Sequence, residues 1–181
     1  MVTHMARPGG EREIIARIRQ ATGNSDDLVV GIGDDCAVYR TSQGRVSLVT
    51  TDTMVAGVHF DTAWHPPVAL GRKAASVNIS DIAAMGGFPR FALLSLALPP
   101  ETENQWLSDF MAGFLAVLSE HGVVLIGGDT VQSGHESMFS VTLLGEMAET
   151  ELLTRKGARI GDVVLVSGLL GEAAAGLALC R

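Results

Sequence analysis

The sequence predicts an α+β fold, a mixed sheet covered on one face by helices. Three observations carry that expectation. β-branched residues crowd positions 46–55, and helical patterns run over 68–85 and again after Thr102. Each helix lies between apolar, strand-like runs, so the order from Val46 is β-α-β-α-β-β, with further strands before and after.

Ile14, Ile15 and Ile18 stand at helical spacing over 11–21, with Gly23 as a stop. Residues 24–27 form a polar turn, 28–30 lead into GIGDD, and 36–39 are strand-like. Thr41-Ser42-Gln43-Gly44 has the composition of a hairpin turn before the 46–55 strand. Gly57 and two prolines within 61–67 break the order, and the 68–85 helix ends at Gly86-Gly87. Residues 90–98 are an apolar strand closed by Pro99-Pro100. Thr102 and Gln105 then suggest a capping box, followed by a stripe of Leu107, Phe110, Met111, Phe114, Leu115 and Leu118 up to Gly122. A short buried strand is expected at 123–126, a loop at 132–137, strands at 138–147 and 163–167, and a helix from 171 to 179. The 149–161 connector carries a cationic patch of Arg155, Lys156 and Arg159.

With 181 residues, 47% hydrophobic and 18% charged, the chain has enough apolar material for a real core. A net charge of -7 without a basic block excludes non-specific nucleic-acid binding. Cys36 and Cys180 are far apart and in no ligand spacing, so neither a disulfide framework nor a zinc site is expected. No run approaches the roughly 18 apolar residues of a membrane span, and MVTHMARPGGERE lacks the apolar core of a signal peptide. A cytoplasmic protein that does not engage membranes is the expectation.

Chemistry concentrates in carboxylates placed beside glycines or within apolar elements: Asp34 and Asp35 in GIGDD, Asp52 in TTDT, Asp81 in NISD and Asp129 in GGDT. Paired carboxylates repel, and burying one demands a partner. Asp81 has none among its helical neighbours, since its i±3 and i±4 positions are Val77, Asn78, Ala84 and Met85. Oxygen donors without clustered Cys or His favour Mg²⁺ over Zn²⁺, and Mg²⁺ completes its shell with water and phosphates. A multi-carboxylate site therefore suggests phosphoryl chemistry. Each aspartate taken singly also suits a turn or a cap. GIGDD and IGGDT match neither the Walker pattern nor GxGxxG. Taken alone, His59 reads as a structural histidine and Arg155 as a solvated connector residue, although an arginine there could also hold a phosphate.

Together GIGDDCAV, LVTTDTMVAGVHF, LGRKAASVNISDIAAMGGFPR, LIGGDT and LTRKGARIGDVVLVSG resemble the N-terminal domain of the thiamine-monophosphate kinases, over residues 28–181. These belong to a superfamily with aminoimidazole ribonucleotide synthetase, selenophosphate synthetase and HypE. The resemblance implies ATP-dependent conversion of thiamine monophosphate to thiamine diphosphate by direct in-line transfer with several Mg²⁺ ions. It further implies metal ligation by Asp35, Thr50, Thr51, Asp52, Asp81 and Asp129, with Asp34 in support. Gly128, Asp129 and Arg155 would contact ATP, and His59 the thiamine substrate. The implied assembly is a homodimer whose N-terminal sheets join into a barrel, with ATP in a groove near the interface.

One departure stands out. Where that family continues GGDT with Thr-Arg-Gly, this chain has Val131-Gln132-Ser133-Gly134, and an arginine near the nucleotide is lost. The expected organisation is a disordered leader at 1–10, an ATP- and Mg²⁺-binding dimerisation domain at 11–150, and a connector with the start of a second domain at 151–181. Such a chain would be inactive alone. Two other readings stay open: a different ATP-using member of the superfamily, and a non-catalytic dimerisation module.

Overall fold

The computed structural model describes residues 10–180. Its elements follow the chain as α1 (Glu11–Ala21), β1 (Leu28–Val30), β2 (Ala37–Ser42), β3 (Arg45–Val55), α2 (Pro67–Ala84), β4 (Phe88–Leu98), α3 (Asn104–Glu120), β5 (Val124–Gln132), β6 (Met138–Ala148) and α4 (Glu172–Cys180). The strands form one six-stranded sheet in the order β1-β2-β3-β6-β4-β5. Among paired neighbours only β4 and β5 run parallel, and the helix α3 makes the crossover between them. The expected mixed α+β architecture is present. The leader expected at 1–10 lies outside the described residues except for Gly10, which caps α1.

Strand alternation explains where the core sits. Val46, Leu48, Thr50 and Met54 of β3 face inward together with Phe139, Val141, Leu143 and Met147 of β6 and Ala92, Leu94 and Leu96 of β4. α2 covers this face with Leu70, Ala74, Ala75, Ile79 and Ile82. α3 packs on α2 through Phe110, Phe114, Val117 and Leu118. An aromatic stack ties the second helix to the sheet, with Phe110 and Phe139 centroids 4.6 Å apart and Phe60 5.2 Å from Phe139. The other face of the sheet leaves Thr51, Thr53, Phe91 and Ser95 exposed.

Several local expectations are corrected. The capping box at Thr102 does not form: its hydroxyl donates to the Pro99 carbonyl, Gln105 bonds Asp109, and Glu103 is the uncapped N-cap. The strand expected at 123–126 is neither short nor buried. It runs through the glycines to Gln132 as a sheet edge, with Val124, Ile126 and Val131 exposed. No strand forms at 163–167, because that apolar run has no sheet neighbour among the described residues, and Val163, Val164 and Leu165 are exposed. A strand exists only by pairing.

The tightest constraint is the crossing of α2 and α3. A Cβ on Gly71 would lie 2.0 Å from the Phe110 carbonyl oxygen, and one on Gly113 would lie 2.0 Å from that of Val68. Both obstacles are backbone, so a side chain is accommodated only by prising the helices apart. Gly71→Ala or Gly113→Ala is expected to destabilise the protein by about 2 kcal/mol or more. Gly23→Ala, where a Cβ meets nothing within 4 Å, serves as the neutral control in the same denaturant titration.

A candidate metal and phosphate site at the free edge of the central strand

β3 outlasts its neighbour β2. Pairing with β2 ends at Ala37 opposite Val49, whereas pairing with β6 continues to Val55 opposite Met138. Residues 50–55 therefore present one unpaired backbone edge, whose donors must find partners elsewhere. α2 supplies one. The fully buried Asn78 accepts the Asp52 N–H through Oδ1 at 3.1 Å and donates Nδ2 to the Ala74 carbonyl at 3.1 Å. One turn on, Asp81 accepts the Thr50 hydroxyl at 2.8 Å. The partner that Asp81 lacks on its own helix is thus a strand hydroxyl.

The GIGDD turn closes the same corner. Asp34 accepts the N–H of Asp35 at 3.1 Å and that of Arg155 at 3.3 Å, and its side chain is only 9% exposed. Asp35 pairs with the Arg155 guanidinium. Burial pushes the Asp81 pKa up; the Thr50 hydrogen bond opposes this, Asp52 and Asp35 add to it, and Arg155 offsets it in part. Cys36 reports the same convergence. Burial drives its thiol up to about 12, with Asp81, Asp35 and Asp34 adding in that order. At neutral pH it stays a thiol rather than a thiolate.

Asp35, Asp52, Asp81 and Thr50 therefore share one corner, partly neutralised by Arg155. Among the described residues no three His, Cys, Asp or Glu side chains stand close enough to form a ready-made metal cage. That suits Mg²⁺, which takes one or two carboxylates and keeps water and phosphate oxygens, better than a cation needing an all-protein shell. Asp81, desolvated and repelled by Asp52 and Asp35, is a donor that a hard cation would satisfy.

Other residues singled out in the sequence lie elsewhere. The Thr51 side chain is on the opposite face from Asp52 and accepts the Thr142 hydroxyl at 3.1 Å. Only its backbone belongs to the free edge. Gly128 pairs with Leu94, Leu94 with Val141, and Val141 with Asp52. Three strand steps of about 4.8 Å separate Gly128 from Asp52, roughly 14 Å. Asp129, next to it, cannot join Asp52 around one ion and would serve a separate one. A Cβ at Gly128 would lie 1.8 Å from the Leu94 carbonyl oxygen at φ +154°, so this glycine lets β5 close onto β4. Asp129 itself accepts the Thr130 N–H at 2.9 Å and is exposed.

His59 follows the end of β3, where its Nδ1 accepts the Val55 N–H at 3.1 Å. It lines a cavity of about 630 Å³ together with Trp64, His65, Lys73, Leu177 and Cys180. Lys73 Nζ donates to the His59 carbonyl at 2.8 Å, and Trp64 and His65 stand 4.6 Å apart. Burial and then Lys73 lower the His65 pKa against the pull of Asp61, and its Nδ1 is buried without a partner. Sequence reasoning passed over Trp64, His65 and Lys73 because the prolines marked that stretch as a break. Asn78 was seen as a neighbour of Asp81 without its role. A polar residue at an inner helical position, one turn before a buried aspartate, was the available signal.

Comparison with known proteins agrees with this geometry. The family model described as AIR synthase related protein, N-terminal domain, matches residues 33–147. The thiamine-monophosphate kinase of Bacillus subtilis is 40% identical over 169 residues, covering 93% of this chain and 52% of its own length. That of Escherichia coli K12 is 40% identical over 173 residues, covering 95% and 52%. The solved structure of AaThiL complexed with AMPPCP and TMP superposes with a TM-score of 0.83 at 38% identity, covering 94% of this chain and 52% of that one. The chain thus spans about half the length of the relatives it matches. With the match extending from the GIGDD turn to the end of β6, the chain belongs to the AIR synthase-related family, whose N-terminal domain it carries.

Proposed function

We propose that this chain carries the nucleotide- and Mg²⁺-binding domain of an ATP-dependent thiamine-monophosphate kinase, producing thiamine diphosphate in the cytoplasm. The observation that carries the reading is the corner by β3, where Asp81 accepts the Thr50 hydroxyl, feels the charges of Asp52 and Asp35, and has Arg155 nearby. Relatives named for this activity, and one structure holding AMPPCP and TMP, supply the substrate class.

The roles follow from the chemistry of the groups. Asp35, Asp52 and Asp81, with the Thr50 hydroxyl and the Thr51 backbone, would hold Mg²⁺, and Asp129 a further ion. Mg²⁺ supplies neutralisation of phosphate charge. The acceptor is already a phosphate, nucleophilic at neutral pH, so the domain needs no strong general base. What it must do is align two anions for direct in-line transfer. Arg155, 62% exposed on a connector, reaches phosphate oxygens once it leaves Asp35. Gly128 brings the backbone of β5 to the nucleotide. His59 and the aromatic wall of its cavity receive the thiamine rings, and Asp34 holds the turn that presents Asp35. The exposed sheet face with Phe91, Thr51 and Ser95 suits pairing of two copies as a homodimer. Neither nucleic acid nor membrane is a partner of so acidic a surface, and no helix among the described residues is long and apolar enough to cross a bilayer.

Calorimetric titration of the folded chain with AMPPCP is expected to show binding that requires Mg²⁺, weakened at least about tenfold by Asp81→Asn. Nucleotide binding that ignores both Mg²⁺ and this substitution would remove the corner from the site.

The same substitution makes a prediction about stability. Because the Asp81 pKa is raised in the fold, the folded state binds the proton more tightly than the unfolded one. The stability this contributes is complete below the ordinary carboxylate value of 3.8 and is lost as pH rises through the raised one. At neutral pH without Mg²⁺, Asp81→Asn is expected to melt higher than the parent protein. The difference is expected to shrink as pH falls toward 3.8, as thermal melts across that range would show.

A further inference from the structure

We infer that a second cleft, separate from the carboxylate corner, binds a phosphate or diphosphate group. It has a volume of about 240 Å³ and lies between α1, the turn at 31–34 and the connector, lined by Arg19, Gly31, Gly33, Thr154 and Lys156. Pockets for drug-sized ligands run to about 300–1,000 Å³, so this one suits a small group.

The charges select its sign. Arg19 comes from α1 and Lys156 from the connector, and neither has a carboxylate oxygen within 4.0 Å among the described residues. The other arginines nearby are engaged, Arg17 with Glu13 and Arg155 with Asp34 and Asp35. Asp34 also borders the cleft, but its two carboxylate oxygens accept the N–H groups of Asp35 and Arg155. Two cations from separate elements, without an ion-pair partner among the described residues, therefore line one cavity whose single carboxylate, Asp34, is turned to backbone N–H groups.

The remaining lining narrows the chemistry. The Arg19 guanidinium lies against the turn, its Nη1 3.5 Å from where a Cβ of Gly33 would stand, and Gly33 has φ +121°. A glycine there leaves backbone, not side chain, facing the cation. A planar five-donor fork, a point charge and the Thr154 hydroxyl match the several oxygens of a phosphoryl group. Two sources fit that chemistry: a free phosphate compound, or the tail of a nucleotide held at the neighbouring carboxylates. The cleft itself rests on Arg19 and Lys156 and not on the kinase reading.

Titration of the folded chain with inorganic pyrophosphate in metal-free buffer tests it. Binding is expected to weaken at least about tenfold in Arg19→Ala and in Lys156→Ala, to weaken as salt is raised, and to be partly retained in Arg19→Lys. Both positions are exposed, and circular dichroism confirms that each variant is folded. Absence of metal-free pyrophosphate binding by the parent protein, or binding indifferent to both alanine variants, overturns the inference even where AMPPCP with Mg²⁺ still binds. AMPPCP distinguishes the sources. Equal weakening of AMPPCP by the same variants supports the cleft with the nucleotide tail as its ligand. Unchanged AMPPCP binding alongside lost pyrophosphate binding supports it with a free phosphate compound.

Discussion

The functional corner depends on the unequal lengths of two paired strands. β2 leaves β3 at Val49, and β3 runs on with its far edge open. An open edge in the interior of a fold must be answered by side chains, because unpaired backbone donors out of water cost about as much as a lost hydrogen bond. His59 Nδ1 answers for Val55 at that edge, and Asn78, taking the Asp52 N–H from the core face, sets the register of α2 against the sheet. With Asn78 fixed, Asp81 arrives one helical turn later over Thr50. The aspartates meet because two elements of different period are pinned at one point.

The pinning requires α2 to sit close, and its other side explains how it does. Gly71 and Gly113 remove side chains where α2 crosses α3, so the two helices pack backbone to backbone. Gly128 has the corresponding role in the sheet, letting β5 approach β4. The glycines of this chain thus act chiefly as places where backbones meet. Gly71 and Gly113 serve the helix crossing, and the sequence holds no Walker or dinucleotide pattern.

Much of this was legible beforehand, for identifiable reasons. The β-branched run of β3 and the Gly-Gly stop after α2 are strong local signals, and both elements form within a residue or two of the expected bounds. The family resemblance, carried by several ordered motifs, anticipated the fold that the comparisons bear out. The failures share one cause. Gly127 and Gly128 look like a turn, yet they continue β5 because β4 lies parallel beside them. The apolar residues at 163–167 look like a strand and are none, since nothing pairs with them. Thr102 matches a capping pattern, but the Pro99 carbonyl competes for its hydroxyl. Each depends on a partner distant in the chain or on local competition, which periodicity does not register. The cavity wall of Trp64 and His65 and the Arg19–Lys156 cleft were hidden for the same reason: each joins segments far apart in sequence.

The electrostatics of the corner point to an exchange of partners. Asp81, with burial and two neighbouring carboxylates against it, has its charge opposed by the fold, while Thr50 and Arg155 return part of what is lost. Arg155 sits on a connector with its side chain mostly in solvent. A surface pair of this kind contributes little to stability, about 0–1 kcal/mol, so releasing it is inexpensive. On the proposed reading, Asp35 and Asp81 would hold a cation that neutralises them in place of Arg155, and the Arg155 guanidinium would be free to pair with phosphate oxygens. The corner thus holds its carboxylates and a guanidinium in a pairing that costs little to exchange.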